Sequence, residues 1–225
     1  MVSSELTIVI TTFKSDKVIE ECLSSIGNKY RVIIIENSGD LNFKRKIESK
    51  YTNVECFLTG SNLGYAKANN LGLEKVKTKY ALILNPDAII QSNALENFLI
   101  RVKEIPDFYL MGPMNDQQLN SASLSNEVMD VENLKGFAIF INLVKFNHSY
   151  FDENYFLYFE EIDLCKRVRK ENGRIILDSK IVIRHSGAKS VETFLKHELE
   201  KNRNWHWMWS TFYYHKKNKG FTFAL

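Results

Sequence analysis

The chain has 225 residues, 44% of them hydrophobic and 25% charged, with a formal net charge of +3. That length and balance suit one α/β domain, or one with a helical appendage, and exclude a disordered chain. The charge is too small to point to nucleic acid, so no nucleic-acid partner is expected.

The first apolar run, residues 6–12, reads as a buried strand. Ser15 or Asp16 is placed to cap a helix whose apolar face is Val18, Ile19, Cys22, Leu23 and Ile26, and Gly27-Asn28 ends it. Residues 32–35 form a second strand, closed by Glu36-Asn37-Ser38-Gly39-Asp40, and a charged helix follows over 43–50. Residues 54–58 read as a third strand. Asn62-Leu63-Gly64 is then a turn into a helix over 65–76, and 80–84 is a fourth strand stopped by Asn85-Pro86-Asp87. Beyond these come a helix over 93–104, a strand over 108–111 and a polar stretch over 114–133 that reads as a loop. Phe137, Ile139 and Ile141 belong to a two-sided buried strand. A helix over 161–171 has Leu164, Cys165 and Val168 inward, and two strands are expected at 175–177 and 181–183. From Ser190 to about Lys219 runs a helical stretch rich in aromatic residues.

Strands alternating with helices at this spacing predict a mostly parallel sheet with helices on both faces. Ligands of such sheets bind beyond the carboxyl ends of the strands. The residues there are Thr11, Thr12 and Phe13; Glu36, Asn37 and Ser38; Asn62 and Gly64; Asn85 and Asp87. They are polar, small and acidic, a set suited to a base, a ribose and a metal-bound diphosphate.

Four constellations carry chemistry. Asp87, at a strand end, is suited to a divalent cation shared with substrate phosphates, although a plain Asn-Pro-Asp turn accounts for the same residues. Glu160, Glu161 and Asp163 follow the aromatic run Tyr155-Phe156-Leu157-Tyr158-Phe159. Acids beside aromatics are suited to general-base work, and acids in a first helical turn also simply complement the helix dipole. His185 ends a strand and would complete a metal site with Asp87, or serve as a structural histidine. Small residues at 62–70 let a helix start approach phosphate or ribose oxygens, or simply pack tightly. Neither GxxxxGK[ST] nor GxGxxG occurs.

Among the three acids, helical geometry favours Glu161 as a base. It lies three and four residues before Leu164 and Cys165 and so shares their inward direction, while Asp163 lies off that face and Glu160 precedes the helix.

In this order, the stretches TIVITTF, VIIIENSGD, NLGYAKANNLGL, YALILNPDAII, FDENYFLYFEEIDLCKRV and IVIRHSGAKS resemble glycosyltransferase family 2. These are inverting enzymes of the GT-A nucleotide-diphospho-sugar transferase fold, and the likeness is greatest to the rhamnosyltransferase-like branch that builds bacterial surface polysaccharides. The resemblance covers about residues 6–190. It implies a catalytic domain over 1–189, with a nucleotide-binding half (1–112) and an acceptor-binding half (113–189), followed by a helical extension over 190–225. It places Thr11, Phe13, Glu36 and Asn37 at the nucleoside and Asn62, Gly64 and Asn69 at the nucleotide sugar. Asp87 would be the last acid of a DXD-type motif whose first position is Asn85, with His185 as a further ligand of Mg²⁺ or Mn²⁺. Glu160-Glu161 stands where the family has Glu-Asp, the second member being the base. The chain departs from the family in having Glu at 36 and 161 where Asp is usual.

The implied reaction is a single displacement with inversion, carrying rhamnose or another hexose from a nucleotide-diphosphate donor to a hydroxyl of a glycan or lipid-linked acceptor. A nucleotidyltransferase of similar fold should show a Gly-rich basic loop after the first strand, where Thr11-Thr12-Phe13-Lys14 stands instead. A flavodoxin-like binding module would leave the acids at 160–163 unused. A non-catalytic sugar-nucleotide binder would bind donor without turnover.

MVSSELTIVITTF has no basic leader, and no apolar run approaches the roughly 18 residues that span a bilayer. Cys22, Cys56 and Cys165 have no paired spacing and sit among apolar residues, as buried thiols of a reducing compartment would. A cytoplasmic protein is expected, working on membrane substrates from the inner face. The aromatics Trp205 to Tyr214, with His215, Lys216 and Lys217, suit either a peripheral membrane contact or packing on the catalytic domain or across a homodimer.

Overall fold

The computed structural model describes residues 4–115, 127–146, 150–185 and 196–224. The first half alternates strands and helices: β1 (Leu6–Thr12), α1 (Ile19–Ile26), β2 (Arg31–Glu36), α2 (Leu41–Lys50), β3 (Val54–Leu58), α3 (Tyr65–Leu73) and β4 (Tyr80–Leu84). β1, β2 and β4 are largely apolar because helices cover both sides of the sheet there, while β3 at the sheet edge carries an exposed Glu55. Alternate residues feed two cores: Ile8, Ile10 and Ile34 face one way, with α1, α2 and α4, and Val9, Ile33 and Ile35 face the other.

Two helix starts differ from the sequence reading. Ser15 does not cap α1 through its side chain. Its hydroxyl bonds the Phe13 backbone, and its carbonyl accepts from the N–H groups of Val18 and Ile19, so the helix begins only at Ile19. Asp40 instead caps α2, accepting from the N–H groups of Asn42 and Phe43, which brings that helix forward to Leu41.

The second half comprises β5 (Ala88–Ile90), α4 (Ala94–Glu104), β6 (Phe108–Met114), β7 (Val128–Asp130), β8 (Ala138–Asn142), a short 3₁₀ turn (Leu143–Lys145), α5 (Glu160–Lys170), β9 (Arg174–His185), α6 (Lys196–Lys219) and α7 (Phe221–Ala224). The sheet order is β3-β2-β1-β4-β8-β6-β9-β5, with β7 paired to β9. The first four strands are parallel; β8 runs antiparallel to β4 and β6, and β9 is parallel to β6 but antiparallel to β5 and β7.

The expected strands at 175–177 and 181–183 are one strand, β9, with a register break against β6 between Pro113 and Met114. Buried Asp178 sits at that break, accepting from the Lys180 N–H and from Arg101 Nε. Residues 112 and 113 both lie in β6, and the two halves share one sheet. Most of the polar stretch (116–126), residues 186–195 and the boundary at 189 lie outside the described residues. The three cysteines are free and buried.

The register sets up the site. Thr12 pairs with Glu36, Glu36 with Leu58 and Ile10 with Leu84, so four parallel strands end along one edge.

Candidate active site

A cavity of about 530 Å³ opens at that edge, a size usual for small-ligand sites. Thr11, Phe13 and Ser15 line it after β1, and Asn37 after β2. Asn62, Gly64 and Tyr65 line it at the start of α3, and Asn85, Pro86 and Asp87 after β4. The second half supplies Lys135, Gly136 and Phe137, then Phe156, Leu157 and Tyr158, then Glu160 and Glu161. His185 of β9 and Arg203 of α6 complete the lining.

Buried Asn37 ties two loops together. Its Nδ2 donates to Asn62 Oδ1 at 2.9 Å and to the Gly64 carbonyl at 3.2 Å, while its Oδ1 accepts from the Leu63 N–H at 2.9 Å. Gly64 has φ +81°, and a Cβ there would lie 2.5 Å from the Phe156 carbonyl oxygen. Only glycine combines that conformation with that approach. The Tyr65 N–H donates to the same carbonyl at 2.7 Å, which stitches the first half of the chain to the second.

After β4, His185 Nε2 lies 3.2 Å from Asp87 Oδ1 and 3.4 Å from Asn85 Nδ2. The imidazole stacks on Phe137 with centroids 4.8 Å apart. The buried Tyr65 hydroxyl lies 2.7 Å from the Gly136 carbonyl oxygen and 3.2 Å from Asn85 Oδ1. Burial, and next the Glu160 charge, raise the phenol well above its usual range and keep it a neutral donor.

The acids at the start of α5 are held differently. Tyr158 and Phe159, both non-glycine, have φ of 72° and 68°. Two consecutive left-handed residues are a costly turn that surrounding packing must hold. It delivers Glu160 as the first helical residue, not as one preceding the helix. Glu160 is buried, and among the described residues its Oε2 has no hydrogen-bond partner. Burial, then the Glu161 charge, push its pKa up to about 8. Glu161 is also raised, chiefly by burial, although N–H groups at the helix start pull it back down. Two close carboxyls in one desolvated place cannot both ionise easily, so each resists charging while the other is charged.

Three residues expected at the site do not line the cavity. Glu36 turns its carboxylate onto its own loop, accepting from the N–H groups of Ser38 and Asp40 and from the Ser38 hydroxyl. The extra methylene of Glu over Asp gives it that reach. Asn69 is fully buried and accepts from the Thr11 hydroxyl at 3.0 Å, so it orients a lining residue from behind. Asp163 is buried between Arg167 Nε at 2.8 Å and Lys217 Nζ at 2.7 Å, an ion-pair cluster under α6. Its carboxylate is taken up by these two cations and does not reach the cavity.

Other lining residues were missed by sequence reasoning. Tyr65 and Phe156 stand inside stretches read for their other residues, and Lys135 and Arg203 carry no motif. Arg203 Nε donates to the Tyr158 hydroxyl at 2.9 Å, which brings α6 to the mouth of the cavity. Only the glycine before Tyr65 hinted at a helix start aimed at a ligand.

Among the described residues no group of three or more His, Cys, Asp or Glu could hold a metal ion by itself. Asp87 and His185 are adjacent and reach the cavity, an oxygen and a nitrogen donor together. Such a pair fits a Mg²⁺ or Mn²⁺ ion whose remaining ligands are waters and substrate phosphates.

Comparison with known proteins agrees with this architecture. Residues 7–164 match the family model "Glycosyl transferase family 2". The low-salt glycan biosynthesis hexosyltransferase Agl10 of Haloferax volcanii is 23% identical over 198 residues, covering 76% of this chain and 64% of the relative. The minor teichoic acid biosynthesis protein GgaB of Bacillus subtilis is 23% identical over 146 residues, covering 57% of this chain and 16% of the relative. The chain thus spans less than two thirds of the length of either. Among solved structures, the mannosyltransferase PcManGT from Pyrobaculum calidifontis, in complex with GDP-Man and Mn²⁺, superposes with a TM-score of 0.69 at 15% identity, over 96% of this chain and 67% of that one. S. aureus TarS 1–349 in complex with UDP-GlcNAc gives 0.65 at 19% identity, over 84% of this chain and 60% of that one.

The fold is therefore the GT-A fold of glycosyltransferases. The chain belongs to glycosyl transferase family 2.

Proposed function

We propose that this chain transfers a sugar, rhamnose or another hexose, from a nucleotide-diphosphate donor to a hydroxyl of a glycan or lipid-linked acceptor, as in surface-polysaccharide synthesis. One observation carries the reading. A single cleft holds a cation-ready pair, Asp87 and His185, and a desolvated acid pair, Glu160 and Glu161.

Thr11, Phe13 and Asn37 flank the nucleoside, and Asn62, Gly64 and Asn85 the diphosphate and sugar. Glu36 and Asn69 support these residues from outside the cavity. Asp87 and His185 would hold Mg²⁺ or Mn²⁺, which when bound supplies charge neutralisation for the leaving diphosphate. Burial favours the neutral form of Glu160, and Glu161, which lines the cleft, serves as the base. The acceptor hydroxyl gives its proton to Glu161 while its oxygen bonds to the anomeric carbon. The bond from that carbon to the diphosphate oxygen breaks on the opposite face, and the configuration inverts. Tyr65, fixed by Asn85 and Gly136, spans the floor between the two pairs.

The test is a panel of nucleotide sugars in thermal shift with Mn²⁺, followed by a transfer assay with each donor that binds. A matched donor stabilises the folded state in proportion to RT ln(1 + [L]/Kd). Donor binding with transfer, both lost when Asp87 is replaced by Ala, supports the reading. Donor binding without transfer to any glycan or lipid-linked hydroxyl would reduce the chain to a sugar-nucleotide binder.

A further inference from the structure

The helix α6 has two faces. Its inner face is docked on the second half of the molecule. The His206 ring stacks on Phe156 at 4.3 Å, the buried Ser210 hydroxyl donates to the Leu157 carbonyl at 2.8 Å, and Tyr213 meets Tyr155 at 4.9 Å. Lys217 bridges Asp152 and Asp163, at 2.7 Å from each.

The outer face is unlike an ordinary solvated one. Trp205, Met208, Trp209 and Phe212 follow one another at helical spacings of three, one and three residues and so form one stripe. The first three are 64%, 60% and 46% exposed. The stripe continues onto α7 through Phe212 and Phe221, 6.1 Å apart, and Phe221 and Phe223 are themselves exposed. Exposed lysines border it: Lys201 before it, then Lys216 and Lys219 after it. From Lys201 to the C-terminal Leu225 the sequence has five Lys and Arg residues and no Asp or Glu. Lys166, on neighbouring α5, extends this positive field. Partial burial, then Lys170, Lys219 and Arg169, lower its pKa.

We propose that the outer face of α6 and α7 docks on an anionic membrane surface, with indole and phenyl rings in the headgroup–acyl boundary and lysines against lipid phosphates. Aromatic residues with flanking cations on a helix that lies flat are the chemistry of interfacial binding. Among the described residues no helix is long and apolar enough to cross a membrane, which leaves lying on the surface as the mode for α6. Charge argues against a second copy as occupant. A twofold contact through an acid-free stripe sets its lysines against those of the partner, whereas anionic lipid attracts them. The same helix walls the cleft through Arg203. If the transferase reading holds, docking brings the cavity mouth to the bilayer, where a lipid-linked acceptor would be presented.

All three tryptophans of the chain, Trp205, Trp207 and Trp209, lie on α6, so intrinsic fluorescence reports on this helix directly. The probes are vesicles of phosphatidylcholine with and without phosphatidylglycerol, used in flotation and fluorescence titration at low and high salt. The expected result is flotation and a blue shift on anionic vesicles at low salt, both lost at high salt. Trp205→Ser with Trp209→Ser should abolish flotation. Lys216→Glu with Lys219→Glu should weaken partition by about tenfold or more, with circular dichroism confirming that each variant is folded. Absence of flotation on anionic vesicles at low salt overturns the proposal. So does a dimer in sedimentation equilibrium that Trp209→Ser dissolves, since that assigns the face to a second copy. Donor binding measured without vesicles reads the transferase assignment separately, so failure of one leaves the other standing.

Discussion

At the β4 end of the cleft, Asp87 faces an imidazole at 3.2 Å beside the Asn85 amide. At the α5 end, Glu160 faces another carboxyl and keeps one oxygen without a partner among the described residues. Both are acids lining one cavity, yet their surroundings prepare opposite tasks. The first can take a cation. The second is pushed towards its neutral form. The lesson is that the environment of a carboxylate, more than its identity, decides its role.

Neutralising one acid at a time separates the two tasks. Glu161→Gln keeps volume and removes the base, so turnover should fall roughly 10²–10⁴-fold with donor affinity nearly unchanged. Steady-state kinetics and donor titration on the same sample check it. If Glu160→Gln is inactive while Glu161→Gln turns over normally, the two acids have exchanged roles.

At the other end, Asp87→Ala should weaken nucleotide binding in Mn²⁺ by at least about tenfold, the equivalent of one charge-assisted contact. The loss should vanish in EDTA. Calorimetry with and without the metal decides this, and equal affinities for wild type and variant in Mn²⁺ would remove Asp87 from the cation site.

Stability against pH should separate the ends as well. Burial and the Glu161 charge raise Glu160 to about 8 from the 4.5 of an ordinary glutamate. Below the lower value both folded and unfolded chains hold the proton. Between the two, the unfolded chain releases it and the native state does not, so stability falls as pH rises through this window. The slope from this group is at most about 1.4 kcal/mol per pH unit. Its titratable neighbours, Glu161 and Tyr65, share the burden. Thermal unfolding from pH 6 to 8 should show a flatter decline for Glu160→Gln; an identical slope would mean the site is wetter than its burial indicates.

The smallest expected effect is at the seam between α6 and the second half. Ser210→Ala removes a hydrogen bond to the Leu157 carbonyl and should cost about 1 kcal/mol, read by chemical denaturation. A larger loss would mean that the segment carrying Glu160 depends on α6 for its shape.

Much of the first half was legible in the sequence. Strands β1, β2 and β4 are largely apolar runs because both their faces are buried, and β2 and β4 stop at Asn. The strand ends then pointed to Thr11, Asn37, Asn62, Asn85 and Asp87, all of which line the cavity. The second half was less legible. β9 reads as two strands because Asp178 interrupts its apolar run, and only its partners, Lys180 and Arg101, show why a buried acid fits there.

Residue type and spacing alone thus determined the parallel half, its family likeness and the presence of acids at strand and helix ends, because short-range periodicity and turn chemistry are local properties. The tertiary structure decided where each acid points. Glu36 bonds its own loop, Asp163 is claimed by Lys217 from 54 residues further along the chain, and Glu160 loses its water to packing. Tyr65, Lys135 and Arg203 join the site only because three distant elements converge on it. Desolvation and long-range pairing depend on what surrounds a side chain in space, and a one-dimensional pattern holds no record of that.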